Sequence, residues 1–362
     1  MQDDSTYDVA IIGLGPAGST VARLLDPAFR IIAIDKKSGA QAASFHKPCG
    51  GLLAPDAQKA LSRFNLTLPK DILVDPQIFS VKTLDLDHGL LRYYRRFYIN
   101  LDRHKFDMWL ISLIPGHVTL AAGAYCKSIR QTGGVYEITF QQHAAERTIT
   151  ARHVIGADGS SSFVRKSLFP GRDIRRYVCV QQWFEEKHPV PFYSCIFDSS
   201  LTDSYCWSIS KDGYFILGGA FPEKDGRKRF ERLKEKLQAH GFTLGPAVKT
   251  EGCQVSMPRR PRDFCIAEGN AFLIGEAAGL ISPSSLEGIS YALDSAHRLA
   301  MILNSGRKNP ARALRLQLLP MRIKLLLKHL KIPFMYRPFL RKLVMKTGVG
   351  SITVMDRRET SE

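Results

Sequence analysis

The chain has seven cysteines, Cys49, Cys126, Cys179, Cys195, Cys206, Cys253 and Cys265, yet no CxxC pair. That spacing argues against a zinc site and against a disulfide framework, and it fits a reducing compartment. Long uncharged runs are missing too. Met108 to Cys126 lacks Lys, Arg, Asp and Glu, but Pro115, Gly116 and His117 interrupt it, so it reads as a helix and then a strand rather than a membrane span. Asp3 and Asp4 stand where a secretion signal carries positive charge, so no export is expected and the expected location is cytoplasmic. No internal repeat, low-complexity tract or long linker is visible. Acidic residues disappear from one interval: none lies between Asp294 and Asp356, while lysines and arginines recur from Arg298 to Lys346. Much of the net charge of +17 therefore sits in one C-terminal segment, which points to an anionic surface or ligand.

What is present is ordinary globular material, with 362 residues, 44% hydrophobic and 23% charged. Val9 to Ile12 reads as an apolar strand, GLGPAG as a turn, Ser19 to Leu25 as a helix and Ile31 to Ile34 as a second strand. Gly13, Gly15 and Gly18 form GxGxxG between strand and helix, with Pro16 and Ala17 opening the helix. Glycine there allows a tight turn and close approach of a pyrophosphate to the backbone, at a helix N-terminus whose dipole favours anions. Asp35 ends the second strand, where a carboxylate accepts hydrogen bonds from an adenosine ribose, and Lys36 follows it. A Rossmann-type α/β domain that binds a dinucleotide is the expectation. The segment Val178 to Phe221 alternates aromatic and polar residues, as an antiparallel sheet does.

Two further motifs narrow the dinucleotide. IGADGSSSFVR at 155–165 and FLIGEAAGLISPSSLEGISYAL at 272–293 follow the first glycine motif in order. The sequence thereby resembles the para-hydroxybenzoate hydroxylase superfamily of flavoproteins, which implies a glutathione-reductase-2-like fold and FAD. The resemblance implies that Asp158 and Gly159 lie near the flavin, and that Gly275, Glu276 and Gly279 follow the pyrophosphate and ribityl chain. It also implies that Gly288 and Ile289 open a helix facing the ring. Glu276 departs from the usual Asp. Arg103, opening RHKFDMWL, resembles an arginine that reaches the FAD, and its alternative is a surface arginine on a packing helix.

HKPCGGLL at 46–53 resembles the geranylgeranyl reductase family, whose members saturate isoprenoid double bonds, and within it the colicin M resistance oxidoreductases. Tyr205, Trp207 and Gly218 match part of that family's substrate motif, whereas Ile209, Ser210 and Ala220 depart from it. The implied activity is hydride transfer from reduced flavin to a carbon–carbon double bond of an isoprenoid or lipid-like substrate. Cys49, flanked by Gly50 and Gly51, is the candidate proton donor or ring-positioning group, or else a small residue filling a turn. Lys47 reads as solvated. Tyr205, Trp207, Trp183, Tyr193, Phe184 and Phe197 are candidates for an apolar substrate channel, or for plain sheet core.

In MRIKLLLKHLKI, Ile323, Leu326, Leu327 and Leu330 are expected on one helical face and Lys324, Lys328 and Lys331 on another. Such a helix lies on an anionic membrane or packs on the domain with a solvated basic face. A peripheral place on the inner face of the membrane follows from the first reading, and the leucines fit lipid better than nucleic acid. The expected division is an FAD-binding domain at 1–78, 101–165 and 255–305, a substrate domain at 79–100 and 166–254, and a basic segment at 306–362. Rival activities on the same motifs are a flavin monooxygenase or halogenase, and a non-catalytic flavin-binding membrane protein. The absence of a second GxGxxG leaves the external electron donor unnamed.

Overall fold

In this computed structural model, residues 6–37, 47–186, 190–240 and 242–354 are described. His46, which opens the HKPCGG motif, lies outside them. The uncharged runs near the N-terminus become strands β1 (Thr6–Ile12) and β2 (Ile31–Asp35), parallel neighbours joined through helix α1 (Pro16–Leu24). Helix α2 (Arg103–Ser112) leads to β3 (Thr119–Ala122), which pairs parallel with β2. On the other side of β1 lies β4 (Ala145–Gly156) and beyond it β5 (Ala271–Leu273), both parallel. The order β5-β4-β1-β2-β3 is a doubly wound arrangement, with β1 at its centre. Strands buried on both faces must be apolar throughout, as Val9 to Ile12 and Ile31 to Ile34 are. From β5 the chain passes through a glycine turn into helix α3 (Ile289–Asn304), which packs on α1. The α/β class expected from the sequence is the class observed.

A second sheet collects three separate stretches of chain. Its order is Ala247–Ser256, Arg176–Glu185, Tyr214–Pro222, Cys206–Lys211, Phe192–Phe197, Ile78–Asp85, Leu90–Asn100 and Ser351–Ile352. All pairings are antiparallel except that between Phe192–Phe197 and Ile78–Asp85. Because side chains alternate across a strand, Trp183 and Phe184 must face opposite ways. Phe184 accordingly packs with Phe230, Leu233 and Leu237 of the helix Gly226–Ala239, in a separate core. It cannot belong to a channel shared with Trp183.

The basic segment folds as α4 (Leu319–Leu327), a tight turn at Lys328–Lys331, a short helix at Ile332–Tyr336 and α5 (Pro338–Thr347). A single helix through MRIKLLLKHLKI does not form. The Pro333 ring would meet the carbonyl four residues earlier, at His329, and the α-helical ladder gives way there to the tight turn. The expected apolar face also divides, because Leu326 packs on the core while its companions turn outward. Met321 and Leu325 are the buried residues of α4, whereas Ile323, Leu327 and Leu330 are exposed. Lys324 instead pairs with Asp56 at 3.2 Å, and Lys328 reaches the Ser282 hydroxyl at 3.5 Å beneath a cation–π contact with Tyr291. Arg341, almost fully buried, ties α5 to Asp85 at 2.7 Å and to Asp87.

Candidate functional site

The glycines of the first motif fall into two physical kinds. Gly13 has φ +96°, and a Cβ on Gly18 would lie 1.8 Å from the Gly13 carbonyl oxygen, so both are demanded by the turn itself. A Cβ on Gly15 would meet no protein atom within 4 Å. Gly15 is the N-cap of α1 and supplies no side-chain cap, Pro16 has no N–H, and Pro16 to Ala22 are all buried. A buried helix start without a cap calls for another acceptor, and open space over Gly15 is where a pyrophosphate fits. Helix α3 opens in the same way at Gly288, uncapped, with Ile289 and Ser290 buried. Small residues let the two helices converge: a Cβ on Gly275 would be 3.1 Å from that of Ala17 and 3.4 Å from that of Ala292.

The carboxylates around this cradle are already engaged. Asp35 accepts from the Leu14 N–H through one oxygen and from the Lys37 N–H at 2.7 Å through the other, holding the loop while keeping lone pairs free for a ribose. Lys36 beside it is exposed. Asp158 does not aim outward. It accepts from the Ser162 hydroxyl at 2.5 Å and from the Phe163 and Val164 amides at 2.6 and 3.1 Å, capping the helix Phe163–Leu168. Gly159, at φ +77°, completes that turn with open space above it, and Arg165 is buried behind. Gly279, at φ +78°, would clash with the Asp263 carbonyl if it bore a Cβ. Glu276 bridges outward: one oxygen accepts from the Ser256 N–H at 2.7 Å and the other pairs with Lys47. Its extra methylene over Asp thus gives it reach into the second sheet. Lys47 is ion-paired and only partly exposed, rather than freely solvated. Burial alone would lower its pKa, but Glu276 raises it above the ordinary lysine value.

Beyond Lys47 the KPCGG loop meets a buried charge cluster. Asp107 accepts from Arg103 Nε at 2.9 Å, one helical turn away, and lies 3.3 Å from Lys37 Nζ. Burial would raise the Asp107 pKa, yet Arg103 and Lys37 hold it below the carboxylate range. Arg103 also lies beside Cys49, whose sulfur accepts from the Gly51 N–H at 3.4 Å. Gly51 is fixed by crowding, since its Cβ would lie 2.2 Å from the Leu101 carbonyl oxygen and 2.6 Å from Lys211 Nζ, whereas Gly50 has open space. Lys211 is buried with Nζ donating to Asn100 Oδ1 at 2.7 Å and to the Leu101 carbonyl at 2.6 Å. Burial brings its pKa down to about 8, with the nearby Cys49 opposing the shift.

The second sheet supplies an aromatic wall. Tyr193, Tyr205, Trp207 and Phe197 share one buried cluster, which Leu52 of the KPCGGL run and Ile281 and Leu286 of the second glycine–proline turn join. Tyr205 donates to the Ser285 carbonyl at 2.8 Å and packs at a tilt against Trp207, ring centroids 5.9 Å apart. Trp207 sits across from Gly218, where a Cβ would come within 2.5 Å of the indole, so that glycine makes room for the ring. Trp183 joins from the rim, its indole N–H donating to Glu251 at 2.8 Å under Lys249.

Five residues escaped the sequence reading as participants: Lys37, Asp107, Lys211, Cys179 and Cys253. The Arg103–Asp107 spacing of four residues was the one available signal. Cys179 and Cys253 face each other across antiparallel strands, and Cys253 donates to the Pro48 carbonyl at 3.5 Å. Their mutual hydrogen bond lowers the Cys253 pKa and raises that of Cys179. Among the described residues no cluster suits a metal ion, and no helix is long and apolar enough to cross a membrane.

No family model matches the chain. It is 53% identical over 346 residues to the protein CbrA of Escherichia coli O6:H1 (strain CFT073), an alignment covering 96% of this chain and 94% of that one. A geranylgeranyl bacteriochlorophyll reductase-like protein from Thermoplasma acidophilum superposes with TM-score 0.80 at 18% identity, covering 98% of this chain and 94% of that one. PqsL of Pseudomonas aeruginosa, described as a probable FAD-dependent monooxygenase, gives 0.70 at 16% identity over 94% of this chain and 100% of its own. The fold is thus one used by FAD-dependent oxidoreductases.

Proposed function

Because the chain belongs to the CbrA family, we propose that it is an FAD-dependent oxidoreductase of the geranylgeranyl reductase type, reducing carbon–carbon double bonds of an isoprenoid or lipid-like substrate. The observation that carries this reading is the junction of three parts. The aromatic cluster of Tyr193, Tyr205 and Trp207 packs directly on Leu52 and Leu286, which belong to the KPCGG loop and to the turn before α3. An apolar substrate wall therefore adjoins both loops of the dinucleotide cradle.

Gly15, Gly18 and the open starts of α1 and α3 would hold FAD through backbone N–H groups, with Asp35 on the ribose and Glu276 by the ribityl chain. When bound, FAD supplies the hydride that an unactivated alkene requires. The second carbon needs a proton, and in this reading Cys49 gives it. The Gly51 N–H donates to its sulfur, and the charged Arg103 guanidinium lies close by. Arg103 is held in place for this by Asp107.

Two measurements test the reading. Heat-released cofactor should be FAD by mass spectrometry, and FMN would overturn the assignment. Dithionite-reduced protein mixed anaerobically with a polyprenyl substrate should reoxidise, and Cys49→Ala should slow that step at least about tenfold while keeping the flavin spectrum. Turnover that proceeds only with oxygen would make the protein a monooxygenase instead.

A further inference from the structure

We propose that the outward face of the C-terminal helices docks on an anionic bilayer. Each helix has an inner side that is already satisfied. In α4, Met321 and Leu325 are buried, and in α5, Arg341 and Met345 are. At 100° per residue, Ile323 and Leu327 lie on the opposite side of α4, and Phe339 and Leu343 on the opposite side of α5. These four are exposed, Phe339 by 75%, and between the helices Leu330 and Phe334 are exposed by 68% and 52%. A single exposed leucine needs no explanation, but this density within one segment marks an interaction surface.

The segment cannot hide these side chains by rolling inward, because polar anchors fix its inner side. Arg341 reaches Asp85 and Asp87, Arg92 Nε donates to the Met345 carbonyl at 2.9 Å, and the Tyr336 hydroxyl donates to the Ser284 carbonyl at 2.8 Å. Charge identifies the partner. Lys331, Arg337 and Lys346 are exposed among the apolar residues, and the sequence offers no acidic residue from 295 to 355. Large aliphatic and aromatic side chains flanked by cations match the boundary between acyl chains and anionic headgroups. The lysines that a sequence reading would choose do not take part, since Lys324 is committed to Asp56 and Lys328 leans over Tyr291.

This face has a second side with a use. Met335 and Tyr336, from the same segment, pack against the aromatic cluster, with the Tyr336 ring tilted against Phe197 at 5.7 Å between centroids. A lipid-like substrate leaving the bilayer at this face would meet the candidate site directly. That last link rests on the proposed function, whereas the docking face does not.

The test is co-sedimentation of the full flavin-loaded protein with vesicles of phosphatidylglycerol and phosphatidylcholine in equal parts, beside phosphatidylcholine alone. Binding should favour the anionic vesicles and weaken as salt rises, since the Debye length is about 8 Å at physiological salt. Leu330→Asp with Phe339→Asp should raise the lipid concentration for half-binding at least about tenfold, because each buried side chain of that size contributes that much or more. Lys331→Glu with Arg337→Glu and Lys346→Glu should remove the preference for anionic lipid, and Lys324→Gln should change neither. An unaltered flavin spectrum confirms that each variant is folded. Wild type failing to sediment with anionic vesicles would overturn the proposal, as would equal binding by the aspartate variant. So would a variant that merely converts a dimer to a monomer in sedimentation velocity, which would assign the face to a second copy of the chain. Vesicle binding without reduction of any prenyl substrate would leave the docking face standing and defeat the reductase reading alone.

Discussion

The dinucleotide cradle and the aromatic wall are built by opposite means. The cradle is made of backbone: Gly13, Gly18 and Gly279 are glycines because a Cβ would strike a main-chain atom within 3 Å. The wall is made of side chains: Tyr193, Tyr205 and Trp207 fill a cluster, and Gly218 is a glycine because an indole occupies its place. Backbone contacts admit no substitute, so the cradle resists change all at once. Side-chain contacts repack, so the wall can vary while the scaffold stays. The departures from the reductase motif, Ile209, Ser210 and Ala220, all fall on the wall strands.

The widest gap should open inside the cradle itself. Gly18→Val places atoms through the Gly13 carbonyl, and no soluble, cooperatively folded protein is expected, a loss beyond about 4 kcal/mol. A Cβ at Gly15 meets no protein atom within 4 Å, so for Gly15→Val circular dichroism and the thermal midpoint of the flavin-free protein should stay near wild type while FAD binding is lost. If both variants fail alike, Gly15 is structural and the cradle is not a ligand space.

Lys211 stands where cradle and wall meet, and its effect depends on pH. Its folded pKa is about 8, below the ordinary 10.5, so the native state sheds this proton first. Between those values the unfolded chain binds more protons, and stability from this group rises with pH; below pH 8 the burial penalty is present in full. Relative to Lys211→Met, wild type should gain about 3 kcal/mol between pH 7 and pH 10.5 in denaturant titrations. Parallel curves would show that the ammonium is not strained by burial.

A smaller change is expected at the wall. Gly218→Ala forces the Trp207 indole aside, which should cost about 1–3 kcal/mol, shift tryptophan fluorescence and leave FAD affinity alone. Lost flavin would mean that the wall shapes the cradle as well.

The same contrast decides what could be read from sequence. Glycine motifs leave fixed spacings, and so the α/β class, the βαβ opening and the sites of Gly13, Gly15, Gly18, Gly275 and Gly279 were legible. Side-chain surroundings leave none. Nothing in the spelling says that Asp158 turns inward to cap a helix, that Phe184 and Trp183 part company across a strand, or that Cys179 meets Cys253. In the C-terminal segment the periodicity was visible, but its direction was not, because a hydrophobic stripe has the same period whether it faces a core or a membrane.

Glu276 belongs to both halves, and its variant should give the smallest effect. It rises from the cradle turn, yet its carboxylate accepts from the Ser256 amide, which ends a strand of the second sheet, and pairs with Lys47 at the head of the KPCGG loop. Glu276→Asp shortens the arm by one methylene, so both contacts cannot be kept. Lys47 is partly exposed, and water replaces much of what its ion pair loses, so the penalty should be about 1 kcal/mol, the size of one net hydrogen bond. FAD should bind within about tenfold of wild type, since the backbone of Gly275 and Gly279 is untouched, whereas reoxidation of the reduced protein by a prenyl substrate should slow as the KPCGG loop loses its tether. A loss of FAD without a change in reoxidation would place Glu276 wholly with the cradle, and the coupling between the two halves would then fall to contacts such as the Ser160 hydroxyl, which donates to the Gln254 carbonyl at 2.8 Å, and the Tyr205 hydroxyl on the Ser285 carbonyl.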